Sequence, residues 1–131
     1  MRIADLAGAV RAPGQNAVTI LVVDDDASVL EIVAEFLEDL GYRVHRASDA
    51  TAALAMLAAT EDVDLLLTDI SMPVMSGVEL AEQALACYPA LKVILMSGYS
   101  DPVPRARLVL RKPFSIRKLA ETVKAAILTK K

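Results

Sequence analysis

One pattern recurs along this chain from Val18 to Leu128: a short apolar run, rich in β-branched residues, stops at a polar residue, and an amphipathic stretch follows. Such runs have no polar face and are short for helices, so they read as strands covered on both sides. Their alternation with helical stretches is the signature of a parallel α/β sheet. The first run, Thr19–Val23, ends in Asp24, Asp25 and Asp26. Val29, Ile32, Val33, Phe36, Leu37 and Leu40 then follow helical spacing, and Gly41 supplies a stop. Arg43–Ala47 reads as the second strand, with Ser48 or Asp49 available to cap a helix carrying Ala52, Ala53, Met56 and Leu57. The third strand, Val63–Leu67, leads to Asp69.

A turn containing Pro73 and Gly77 opens a helix with Val78, Leu80, Ala81, Ala84 and Leu85, closed by Tyr88 and Pro89. Lys92–Met96 is the fourth strand and ends at Ser97 and Gly98. Residues 107–111 form the fifth, running into Lys112, Pro113 and Phe114, and Ser115 caps a last helix with Ile116, Leu119, Val123 and Ile127. Between strands four and five, Pro102 and Pro104 interrupt the eight residues Tyr99 to Ala106, so a loop is expected there in place of a helix.

The chain has 131 residues, 55% of them hydrophobic, which is enough for one core and one domain. Residues 18–131 carry the alternating pattern. Residues 1–17, with Pro13 and Gly14 in a polar setting, read as an extension or linker. A net charge of −3 with scattered Lys and Arg gives no basic stripe, so nucleic acid is not an expected direct partner. No apolar run approaches a membrane span, the first ten residues lack the core of a signal peptide, and the single cysteine, Cys87, has no thiol to pair with. A cytoplasmic location is the expectation.

In an open parallel sheet, ligands bind beyond the carboxyl ends of the strands. Asp24, Asp25, Asp69, Ser97 and Lys112 all stand there. Each has an ordinary structural reading when taken alone: a helix's acidic first turn, a loop acid, a turn serine, a solvated lysine. Their joint placement at the ends of successive strands points instead to a site. Three neighbouring carboxylates repel one another unless a cation sits among them, and Mg²⁺, which combines one or two carboxylates with water and a phosphate oxygen, suits the set. Asp69 can then act as a nucleophile toward phosphorus and form an acyl phosphate, with Ser97 and Lys112 stabilising the phosphoryl oxygens.

Over Val18 to about Leu128 the sequence resembles the response-regulator receiver domain. The resemblance rests on Val22-Val-Asp-Asp25, Thr68-Asp-Ile-Ser-Met-Pro-Val-Met-Ser-Gly77, Ile94-Leu-Met-Ser97, Lys112-Pro-Phe114 and the order of strands and helices. It implies a doubly wound, flavodoxin-like sheet of strand order 2-1-3-4-5. It also implies Asp69 as phosphoacceptor, Asp24 and Asp25 as Mg²⁺ ligands, with Asp25 the more direct, and the Ser71 backbone carbonyl as a further ligand. Ser97 and Lys112 would contact the phosphoryl group, and the bond before Pro113 would be cis. The implied partners are a histidine kinase or histidine phosphotransfer protein, and a downstream protein target or the parent kinase itself.

Two departures from the family stand out. The interval from Ser97 to Lys112 is short by roughly two helical turns, as in a subset of receivers with a Ser-Gly-Tyr stretch and a shortened fourth helix. Val109 stands where many receivers carry a switch aromatic. Readout is therefore expected through ordering of the segment from Ser97 to Ala106 by Ser97, with Tyr99 shielding the site, and through protein contacts, since the sequence closes at Lys131 after the last helix. Two other readings are open. One is a haloacid-dehalogenase-like phosphatase using Asp24 and Asp26, and the other is a receiver-fold binding module that is not phosphorylated.

Overall fold

The computed structural model describes residues 17–60, 62–98, 101, 104 and 107–128. Strands β1 (Thr19–Val23), β2 (Arg43–Ala47), β3 (Leu65–Asp69), β4 (Lys92–Ser97) and β5 (Leu108–Arg111) form one parallel sheet in the order β2-β1-β3-β4-β5. Helices α1 (Ala27–Asp39), α2 (Ala50–Ala59), α3 (Gly77–Cys87) and α4 (Ile116–Leu128) cover it. The expected doubly wound fold and strand order are therefore present. Strand order reverses between β1 and β3, which places the crevice of such a sheet at their carboxyl ends.

The strands alternate sides, so each feeds two cores. Ile20, Val22, Leu65, Leu67, Ile94 and Met96 pack with Leu30, Val33 and Leu37 of α1 and Leu119 and Val123 of α4. Leu21, Val23, Leu66, Leu95 and Ile70 meet Ala53 and Leu57 of α2 and Leu80, Ala81 and Ala84 of α3. With β1, β3 and most of β4 buried, a charged side chain fits only where a strand leaves the sheet.

Local signals set the helix ends. Asp26 caps α1, accepting from the backbone N–H groups of Ser28 and Val29 at 2.9 and 3.2 Å. Gly41 follows α1 at φ 101°, where side chains are disfavoured. Asp49, of the two expected candidates, caps α2 through the Ala52 N–H at 2.7 Å. Ser76 and Glu79 form a reciprocal capping box on α3, and Ser115 accepts from the Lys118 N–H at the start of α4. Arg46 on β2 holds α1 down by pairing with Glu31 and Glu38 at 3.0 and 3.1 Å.

The third strand corrects its expected boundary. It runs over Leu65–Asp69 and not Val63–Leu67, because Leu65 to Thr68 pair with Ile20 to Val23 and Asp69 pairs with Met96. Likewise β4 extends to Ser97, and Ser97 pairs with Arg111. Asp69 and Ser97 thus stand on the ladder itself, at its last rung. The Lys112–Pro113 bond is cis. The extension over residues 1–16, Tyr99 and most of the expected loop lie outside the described residues. Of that loop Asp101 and Pro104 are described, and neither is helical.

Candidate functional site

Asp24, Asp25, Asp26, Asp69, Ser71, Gly98, Asp101 and Lys112 line a cleft of about 450 Å³ at the carboxyl end of the sheet. β1 and β3 supply the acids. Asp24 is fully buried and Asp69 is 5% exposed, because each continues a strand that is enclosed on both faces. The three neighbouring acids at the end of β1 have different surroundings. Asp24 accepts from the Asp26 N–H at 2.9 Å through one oxygen and from Lys112 Nζ at 3.3 Å through the other. Asp25 is exposed, while Asp26 turns to the α1 backbone as its cap.

One carboxylate oxygen from each of Asp24, Asp25 and Asp69 falls within 4.8 Å of the others. This is a compact, all-oxygen donor set, the kind that hard divalent cations take. Lys112 Nζ also lies 3.3 Å from Asp69 Oδ1, so a single ammonium spans two carboxylates that would otherwise repel. Burial first, and then the Asp24 charge, raise the Asp69 pKa above its ordinary value, while Lys112 and the Ser71 backbone N–H pull it down in part. Burial works to lower the Lys112 pKa, but the charges and hydrogen bonds of Asp24 and Asp69 outweigh it and leave the ammonium more firmly protonated.

The loop after Asp69 is drawn tightly back on it. Gly77 N–H donates to the Ile70 carbonyl at 2.9 Å, and a Cβ on Gly77 would run into the Asp69 backbone carbonyl. Val74, at φ 71°, is the centre of a three-residue turn closed by the Met75 N–H and the Pro73 carbonyl at 2.7 Å. A β-branched residue in that conformation is strained, and Val74 is fully exposed.

On the β4 and β5 side the arrangement is different. Ser97 is fully buried. Its hydroxyl donates to the Gly98 carbonyl at 2.9 Å and accepts from Arg111 at 3.3 Å. The Gly98 N–H donates to Asp101 Oδ2 at 2.7 Å. Of the residues expected from the sequence, Asp24, Asp25, Asp69, Ser71 and Lys112 line one cleft, and Ser97 lies immediately before a lining residue. Asp101 and Arg111 were not anticipated. Asp101 falls in a stretch with no periodicity, and Arg111 reaches Ser97 only through the register of β4 with β5.

Comparison with known proteins identifies the family and the fold. The family model of the response regulator receiver domain matches residues 20–124. Response regulator receiver protein CpdR of Brucella abortus is 34% identical over 116 residues, which cover 83% of this chain and 96% of that protein. Sensor kinase CckA of the same organism is 33% identical over 117 residues, but the match spans 12% of its length. Among solved structures, a CheY-like response regulator receiver domain protein from Methanospirillum hungatei superposes with a TM-score of 0.77 at 33% identity, covering 86% of this chain and 94% of that one. A receiver domain protein from Clostridium thermocellum gives a TM-score of 0.78 at 28% identity, with 84% and 94% covered.

Proposed function

The chain belongs to the response regulator receiver domain family and is a phosphorylation-switched signalling domain of the two-component type; we propose that Asp69 is its phosphoacceptor. The observation that carries this assignment is the position of Lys112, whose Nζ lies 3.3 Å from both Asp24 and Asp69 in a cleft where Asp69 is the acid most enclosed after Asp24. Asp24 has both oxygens engaged, one accepting from the Asp26 N–H and the other from the Lys112 ammonium. Asp69 ends the central strand β3, with its carboxylate on the cleft.

In the transfer, an Asp69 carboxylate oxygen forms the new bond to phosphorus as the bond from phosphorus to a histidine nitrogen of the donor breaks, and the electron pair leaves with that nitrogen. Lys112 neutralises charge on the phosphoryl oxygens. Asp24, Asp25 and Asp69, with the Ser71 backbone carbonyl, would hold Mg²⁺, which supplies positive charge for the oxygens gathered there. Ser97 contacts the phosphoryl group once its hydroxyl turns away from the Gly98 carbonyl.

The donor is a histidine kinase or histidine phosphotransfer protein, and output passes to a downstream protein or to the kinase that carries the domain. The work is done by self-phosphorylation and self-dephosphorylation in the cytoplasm, not by turnover of an external substrate, and residues 1–17 are an extension or linker to the domain. No described helix is long and apolar enough to cross a membrane. The phosphatase alternative needs Asp26 as a working acid, but its carboxylate is engaged as the α1 cap.

Incubating the protein with Mg²⁺ and acetyl phosphate and measuring intact mass tests the assignment. One added phosphoryl group is expected on the wild type, lost in Asp69→Asn and on chelation of the metal. Equal labelling of Asp69→Asn would overturn it.

A further inference from the structure

At the end of β4, the donors nearest the cleft are already taken by acceptors of the chain itself. The Ser97 hydroxyl donates to the Gly98 carbonyl at 2.9 Å. The Gly98 N–H donates to Asp101 Oδ2 at 2.7 Å, a short contact of the charge-assisted kind. Gly98 and Asp101 both line the cleft that holds Asp69 and Lys112. The Asp101 carboxylate lies over the bare face of Gly98: a Cβ there would meet Asp101 Oδ2 at 3.3 Å and its Cγ at 3.9 Å. The Gly98 N–H is therefore a working anion donor at the wall of the cleft, and the anion it holds is internal.

A phosphoryl group on Asp69 would bring three acceptor oxygens and close to two negative charges into the same cleft. It would meet a donor already occupied and a carboxylate of its own sign. We propose that Asp101 is an internal competitor of the phosphoryl group. In the resting state its carboxylate occupies the Gly98 N–H, and on phosphorylation of Asp69 the phosphoryl oxygens take that N–H and expel Asp101. Because Asp101 sits in the connection from β4 to β5, its release carries the chemical event into that connection. This inference rests on Asp69 being the acceptor. It assigns Asp101 as a positioning residue that sets how readily Asp69 is modified and how the change leaves the site.

The test follows wild type, Asp101→Ala and Asp101→Asn with Mg²⁺ and acetyl phosphate, by intact mass and by the hydrogen exchange of the Gly98 amide. Asp101→Ala should be labelled roughly 10- to 100-fold faster than wild type, the scale of one hydrogen bond to a charged group removed from the resting state. Asp101→Asn keeps an acceptor without the charge and should fall between the two. The Gly98 amide of Asp101→Ala should exchange faster at rest and regain protection on phosphorylation, a recovery that a purely structural staple would not produce. Labelling of wild type with no gain in Asp101→Ala, or Gly98 protection that does not return, would overturn the competition while leaving Asp69 as acceptor. No label on wild type or variant would overturn the assignment of Asp69 and the competition with it.

Discussion

The two sides of the cleft are built differently. On the β1 and β3 side, Asp24 and Asp69 extend central strands whose side chains are all buried, and Lys112 ties the two acids together. On the β4 and β5 side, Ser97 and Gly98 are held by their own neighbours: a carbonyl one residue away, a carboxylate three residues away and an arginine across an edge strand. The first side is set by the sheet and needs only a counter-ion. The second has its donors committed inward, and they must change partners before they can serve a phosphoryl group. In the proposed reading, acceptor chemistry is preorganised, whereas the response to it depends on a rearrangement at the edge of the sheet.

The strongest way to break this contrast is at the group joining the two sides. Lys112→Ala removes the cation shared by Asp24 and Asp69, and labelling of Asp69 by acetyl phosphate should fall on the order of 100-fold, as for loss of one transition-state donor. Labelling within a few fold of wild type would mean that Lys112 is a structural counter-ion only. Next in size is Gly77→Ala, because its Cβ would strike the Asp69 carbonyl and nothing flexible is there to give way. A loss of about 2 to 3 kcal/mol in denaturant unfolding is expected, and an unchanged midpoint would show that the loop after β3 is not held rigidly.

The smallest effect should be a gain. Without Mg²⁺, Asp69→Asn relieves a buried carboxylate of its repulsion from Asp24, and stability at neutral pH should rise by roughly 1 kcal/mol. The folded pKa of Asp69 is raised, so folding binds its proton more tightly and the ionised acid costs stability above that pKa. The advantage of Asp69→Asn should therefore fade as pH falls through the folded pKa toward 3.8, the ordinary value. Adding Mg²⁺ should stabilise wild type more than the variant. Thermal melts across pH measure both, and a gain constant with pH would assign it to something other than charge.

Much of the acceptor side was legible in the residue order. A strand enclosed on both faces admits a charge only at its end, so the acids after Val23 and Thr68 and the lysine after Arg111 mark the carboxyl end of the sheet in the sequence itself. The caps at Asp49, one of two candidates, and at Ser115 were readable too, because capping is local hydrogen bonding within a few residues. The boundary that moved most, β3 from Val63–Leu67 to Leu65–Asp69, moved because pairing with β1 and β4 decides where a strand stops, and pairing partners lie far away in the chain.

What the sequence determined by itself was the alternation of strand and helix, the fold class and the chemical types gathered at one end of the sheet, since these follow from periodicity and from the cost of burying charge. Tertiary structure alone decided which of three consecutive acids is buried with the lysine, which shares its carboxylate with the cluster and which caps a helix. It also decided that Arg111 reaches Ser97 and that Asp101 closes over Gly98. The physical reason is that these contacts depend on the strand pleat, on the register of β4 with β5 and on the course of the connection between them. None of those is a property of a residue or of its near neighbours in the chain.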